Sequence, residues 1–253
     1  MVTNQRSLST IRLSGLYQLN NTTGYKIMLG AVIFDFDGVI TDSEILHFRC
    51  FNQVLAQFDI TITTRDYYKN YLGFTDMDCF KFLADKEGLG LTEQEIKGLV
   101  EQKNRIFEEL AKTEGRIIEG VRDFLQMLWA DNIPMAIYSG ALLAEIELIL
   151  EECRLRPLFE VIVSADHVKK GKPNPEGFLL ALRKLNDKRQ NPISTNQCIV
   201  IEDSHWGLAA AVAAGMHTVA VTNSYDAEQL QSAEKVVARL DELGMDDLQK
   251  LCP

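Results

Sequence analysis

The sequence has no apolar run near the roughly 18 residues that a membrane-spanning helix needs. It also has no CxxC pair, and its five cysteines, Cys50, Cys79, Cys153, Cys198 and Cys252, are scattered and odd in number. That pattern argues against a disulfide framework and against a zinc site, and fits a reducing compartment such as the cytoplasm. Positive charge is in short supply. With 26 Lys and Arg against 36 Asp and Glu the formal net charge is -10, so no nonspecific grip on nucleic acid through counterion release is expected. An anionic substrate must instead meet a local positive site.

Acids are themselves missing from residues 1 to 34. There Arg6, Arg12 and Lys26 stand among Ser7, Ser9, Thr10, Ser14, Thr22 and Thr23, the hydroxyl-rich, acid-poor pattern of a transit segment to an organellar stroma or matrix. A flexible tail ending at Met28 accounts for residues 1–27 equally well. The rest is ordinary for a globular chain, 46% hydrophobic and 25% charged, and 253 residues suffice for a core domain with a smaller one inserted.

Short apolar, β-branched runs recur at 31–34, 134–138, 160–163, 198–201 and 218–221, with helical patterns between the later ones. Strands alternating with helices predict an α/β fold, a Rossmann-like parallel sheet covered on both faces. Asn174 and Pro175 read as N-cap and first residue of one helix, and Gly215 as the stop of another. The alternation breaks between the first two runs, where residues 43–112 read as successive helices. Thr92 to Glu95 form a capping box, followed by Ile96, Leu99, Val100, Ile106, Phe107 and Leu110 on one face. Val54, Leu55, Phe58, Phe80, Phe82 and Leu83 can seal that face. The predicted organisation is an α/β core over residues 28–42 and 116–253 and a helical-bundle cap over 43–115, hinged near Ser43 and Gly115.

Asp35 and Asp37 follow the first run, where open sheets bind ligands, and a spacing of two puts both on one face of an extended chain. Like charges held close cost stability unless a cation bridges them or one carries a proton. Gly38 permits a sharp turn whose amides can face an anion. Ser139 and Gly140 end the second strand at a helix start, a place for an anion, although Ser139 alone reads as a simple N-cap. Lys169, Lys170 and Lys172 make the strongest basic cluster, suited to offsetting an anionic intermediate. Glu202 and Asp203 follow the fourth run with hard oxygens suited to Mg²⁺. Asp203 alone also reads as an N-cap.

These motifs in this order, above all DFDGVITDS at 35–43, resemble the haloacid dehalogenase (HAD) superfamily, in its branch of phosphatases and β-phosphoglucomutase-like enzymes with an inserted helical cap. The resemblance covers residues 29 to about 240. It implies that Asp35 is the nucleophile that becomes an aspartyl-phosphate and that Asp37 is the general acid and base. It implies that Ser139 and the amide after it, with Lys172 rather than Lys169 or Lys170, hold the phosphoryl group. Mg²⁺ would sit on Asp35, the backbone carbonyl of Asp37 and Asp203, with Glu202 in the inner or outer shell.

The substrate class implied is a small phosphorylated metabolite; a monomer is the default expectation, because the cap can close the site within one chain. Asp42 to Arg49 resembles the β-phosphoglucomutase signature, in which a histidine, here His47, couples cap position to the acid/base Asp. Lys103 falls where the mutase cap has a substrate lysine. Tyr71 to Asp76, including Gly73, matches the family's substrate loop but carries Asp76 where the mutase has an arginine for a distal phosphate. An acid repels what an arginine clamps. Read without the family, His47 is a helix-surface histidine and Lys103 an exposed lysine. The expectation is hydrolysis, with a sugar-phosphate mutase as the alternative and a non-catalytic sugar-phosphate-binding protein as the third reading.

Overall fold

The apolar runs become strands because each residue can be buried on one side or the other of a sheet covered by helices. In the computed structural model, which describes residues 29–71 and 74–252, the strands are β1 (Ala31–Phe34), β2 (Met135–Tyr138), β3 (Val161–Val163), β4 (Cys198–Glu202), β5 (His217–Val221) and β6 (Lys235–Val237). They form one parallel sheet in the order β3-β2-β1-β4-β5-β6. The first five match the runs read from the sequence. The sixth is an edge strand of three residues, two of them half-buried, too short and too polar at Lys235 to stand out by pattern. Residues 1–27, Met28 and Gly73 lie outside the described residues.

Four helices make up the insertion that follows β1: α1 (Glu44–Leu55), α2 (Thr64–Asn70), α3 (Asp76–Lys86) and α4 (Glu93–Glu114). After them come α5 (Val121–Ala130), α6 (Leu143–Glu152), α7 (Glu176–Asn186), α8 (His205–Ala213) and α9 (Met245–Leu251). No described helix is long and apolar enough to cross a membrane. Side chains alternate across the sheet with period two. Val32, Phe34, Ile137, Ile199 and Ile201 pack with Phe124 and Leu128 of α5 and Ile146 and Ile149 of α6. On the other face, Ala31, Ile33, Ala136, Tyr138 and Val200 pack with Phe178 and Ala181 of α7 and Ala210 and Ala211 of α8.

A third cluster belongs to the inserted helices: Phe51, Val54, Leu55, Tyr67, Cys79, Phe80, Leu83, Ile96 and Leu99. The helix starts follow local chemistry, since the hydroxyls of Thr63, Thr75 and Thr92 each accept the amide three residues on. At Thr92 the capping box closes, with Glu95 returning to the Thr92 amide at 2.7 Å. Phe82 is a correction. It stands 46% exposed, packed edge-on against Tyr71 and Phe74 on the outside of the bundle rather than sealing it. The capping of α7 is also displaced by one residue: Pro175 is the N-cap, and Asn174 accepts the Glu176 amide at 3.0 Å. Gly215 ends α8 as expected, at φ +73°.

Glycine inside a helix ordinarily costs stability relative to alanine. Gly177, in the first turn of α7, reverses that rule because a Cβ there would overlap the Tyr138 ring. Gly177→Ala is expected to lower the unfolding free energy by about 1–3 kcal/mol, read as a drop in urea midpoint; a stabilised variant would contradict this packing.

Candidate active site

Parallel pairing of β1 with β4 brings two carboxyl ends together. Phe34 is in register with Ile201, and the Asp35 amide donates to the Ile201 carbonyl at 2.9 Å, which sets Asp35 beside Glu202 and Asp203. This is the point where the strand order reverses, the crevice in which open sheets bind ligands. One oxygen from each of Asp35, Glu202 and Asp203 lies within 4.8 Å of the others, and all three residues are buried. Lys172 enters from the loop before α7. Its Nζ lies 2.6 Å from Asp35 Oδ1 and 2.6 Å from Glu202 Oε1, above the Tyr138 ring at 5.1 Å from the centroid. The amides of Lys169 and Lys170 donate to Glu176, and both lysines point into solvent, which leaves Lys172 as the cation of the site.

Glu202 is already committed. Its Oε2 accepts the amides of Asp203 and Ser204 and the Ser204 hydroxyl at 2.9 to 3.1 Å. Ser204, not Asp203, caps α8, accepting the Gly207 amide at 3.1 Å, and Asp203 instead accepts the Ser224 hydroxyl. Gly38 is at φ +76°, and a Cβ there would overlap Asp203 Oδ2. Its expected anion-facing amide is a correction: it donates to the Thr41 carbonyl at 2.7 Å. The residue is needed for backbone conformation and close approach. Its carbonyl accepts the side-chain amide of Asn223 at 2.7 Å.

Asp37 stands beside this cluster, held by two hydroxyls. Ser43 donates to Oδ1 and Ser139 to Oδ2, the latter at 3.3 Å. The first bond explains why Ser43, the N-cap residue of α1, makes no side-chain cap. Ser139 is not an N-cap either, because α6 begins only at Leu143 and the Ser139 hydroxyl accepts the Ala141 amide at 3.0 Å. Gly140 is exposed, with open space where a side chain would stand.

The cap residues sit elsewhere than a solvent-facing reading places them. Lys103 is fully buried on α4. Its Nζ is 2.7 Å from each oxygen of Asp76 and 2.6 Å from His47 Nδ1. His47 stacks on Phe107 with centroids 4.4 Å apart. Burial, and then Lys103, hold its pKa well below the ordinary value, so the imidazole is neutral.

Burial pushes the Asp35 pKa well up; Lys172 opposes this, and Glu202, Asp203 and Asp37 add to it. Asp203 is pushed up to about 7 by burial and then by Glu202. Asp37 is raised by burial against the pull of Ser43, Lys172 and Ser139. For Lys172 burial favours the neutral form, but Asp35 and Glu202 outweigh it and keep the ammonium above its ordinary range. Four buried or half-buried carboxylates thus face one lysine. That donor set, all oxygen and in excess of negative charge, fits a hard divalent cation such as Mg²⁺; Asp35 and Asp203 have oxygens to give it, while Glu202 is occupied by Lys172 and Ser204.

Ser43, Asn223, Ser224, Glu44 and Glu145 were not among the site residues read from the sequence. Ser43 lies within DFDGVITDS, so its neighbourhood was visible. Asn223 and Ser224 follow β5 at the same sheet edge, a position that marks them once the strand order is known. Glu44, bonded to Tyr67 at 2.8 Å, and Glu145 on α6 carry no motif.

A model of haloacid dehalogenase-like hydrolases matches residues 32–221. The phosphorylated carbohydrates phosphatase of Thermotoga maritima is 32% identical over 190 residues, 75% of this chain and 83% of that one. The β-phosphoglucomutase of Bacillus subtilis is 30% identical over 220 residues, 85% and 92% of the two chains. The crystal structure of β-phosphoglucomutase from Clostridium difficile matches at a TM-score of 0.74 and 26% identity, over 89% of this chain and 97% of that one.

Burial raises the Glu145 pKa to about 7, Lys103 pulling against it. A folded pKa above the unfolded one means that the native state holds the extra proton, so stability falls as pH rises from about 4.5 to 7 and is then level. Glu145→Gln removes that loss. Its stability relative to the parent is expected to improve by about 3 kcal/mol between pH 4 and pH 8, measured by urea unfolding; a pH-independent difference would show that Glu145 is not held protonated.

Proposed function

The chain belongs to the haloacid dehalogenase-like hydrolases, and from that premise we propose that it is a Mg²⁺-dependent phosphatase that hydrolyses a small phosphorylated metabolite through an aspartyl-phosphate on Asp35. One observation carries the reading: Lys172 bridges Asp35 and Glu202 next to Asp203, while Asp37 hangs on two hydroxyls beside them. A lone acidic cluster would bind a cation and do no more. A lysine against the putting-forth carboxylate adds a counter-charge for the phosphoryl oxygens.

In this mechanism Asp35 attacks phosphorus in line with the leaving oxygen. Lys172 opposes the upward push of burial on the Asp35 carboxyl and then faces the equatorial oxygens, with the Ser139 hydroxyl and the following amide as further donors. Asp37, raised by burial, is suited to carry a proton to the leaving alcohol and afterwards to take one from the attacking water. Asp35, Asp203 and the backbone carbonyl of Asp37 would hold Mg²⁺, which would supply charge neutralisation. Glu202 is a positioning residue that fixes Lys172 and the loop into α8. The core over 28–42 and 116–253 carries this chemistry, and the cap over 43–115 closes it within one chain.

Asp35→Asn is expected to lower phosphate release from p-nitrophenyl phosphate by about 10³-fold or more, with the urea midpoint showing a folded protein. EDTA should abolish release by the parent and added Mg²⁺ restore it. Near-parent turnover by Asp35→Asn, or full activity in EDTA, would overturn the proposal.

A further inference from the structure

The pair of half-buried Asp76 and buried Lys103 stands apart from the carboxylate cluster at the sheet edge, yet borders it. α4, which carries Lys103, packs against α6, the helix that follows the Ser139 strand end, and α1, which carries His47, starts at Ser43, whose hydroxyl is bonded to Asp37. A lysine sequestered beside a phosphate-handling site is the natural anchor for a second anionic group on the substrate. Here it has nothing left to give. An ammonium has three N–H donors, and those of Lys103 meet Asp76 Oδ1, Asp76 Oδ2 and His47 Nδ1, at 2.7, 2.7 and 2.6 Å.

What the pair still offers is of the other kind. An ionised carboxylate has about four lone-pair positions, of which Lys103 takes two, and the Asp76 side chain is 22% exposed where Lys103 is sealed. Because His47 accepts at Nδ1, its proton is on the other ring nitrogen, a neutral donor. A carboxylate acceptor and a neutral donor complement hydroxyl groups; they do not complement a phosphate or carboxylate, which would meet Asp76 as a like charge.

We propose that the Asp76–Lys103 pair makes the enzyme selective for monophosphates of neutral polyols, and against substrates carrying a second anionic group. The inference rests on the phosphatase reading and names its substrate class. Asp76 is the specificity-determining residue: its carboxylate both spends the lysine and accepts from the substrate's hydroxyls.

Two matched pairs test it: glycerol 3-phosphate against 3-phosphoglycerate, and fructose 1-phosphate against fructose 1,6-bisphosphate, with p-nitrophenyl phosphate run on the parent enzyme. The parent should prefer the neutral member of each pair by about tenfold or more in kcat/KM. Asp76→Asn, which frees Lys103 for an anion, should shrink that ratio by about tenfold, and Asp76→Glu should restore part of it. A ratio within one protein is unaffected by loss of active fraction. Should the parent release phosphate from p-nitrophenyl phosphate but favour the charged members, or should Asp76→Asn leave the ratios within about twofold, the selectivity proposal is wrong and the phosphatase reading stands. Should the parent release no phosphate from any compound, the phosphatase reading falls and the selectivity falls with it.

Discussion

Lys172 is the contact on which the site depends. It lies between Asp35, just past β1, and Glu202, at the end of β4, and so ties the loop before α7 to two neighbouring strand ends. Removing one partner of a buried ion pair typically costs about 3–5 kcal/mol, because the other charge is left without compensation. The surroundings are arranged around that tie. Glu176 draws in the loop that carries the lysine. Gly207 leaves room for Glu202, and Gly38 leaves room for Asp203. Each is a place where a side chain of ordinary size would separate groups that have to stay together.

Much of the fold was legible because burial on both faces of a parallel sheet forces apolar runs, and those runs can be counted. Five strands were read that way, and β6 was not, since an edge strand of three residues needs no apolar continuity. The carboxylate cluster was legible for a related reason. A parallel sheet delivers the residue after each strand to the same edge, so Asp35, Ser139 and Asp203 had to converge once β1, β2 and β4 were recognised. Lys172 was distinguished from its neighbours by resemblance alone; in the fold it pairs with Asp35 and Glu202, whereas Lys169 and Lys170 are exposed.

Contacts between inserted helices were less legible. Lys103 on α4 meets Asp76 on α3 and His47 on α1, residues 27 and 56 positions away. No period or spacing encodes such a meeting, and a polar residue on an amphipathic helix is assigned to solvent by default. The same limit explains Ser43. It occupies the N-cap position of α1, but the Asp37 carboxylate takes its hydroxyl. Local rules failed where a tertiary partner was stronger than the local one.

The apolar packing has a consequence for how such a chain can change. The sheet is stabilised by its own two clusters, and α1 to α4 contribute most of a third. Leu46, Cys50, Phe107 and Ala111, where α1 and α4 rejoin the sheet's cluster, are the places at which the two masses are coupled. Replacements deep in the third cluster or on the surface around Asp76 therefore leave the strand ends undisturbed. The inserted helices can thus be reshaped from within while the residues at the sheet edge keep their places.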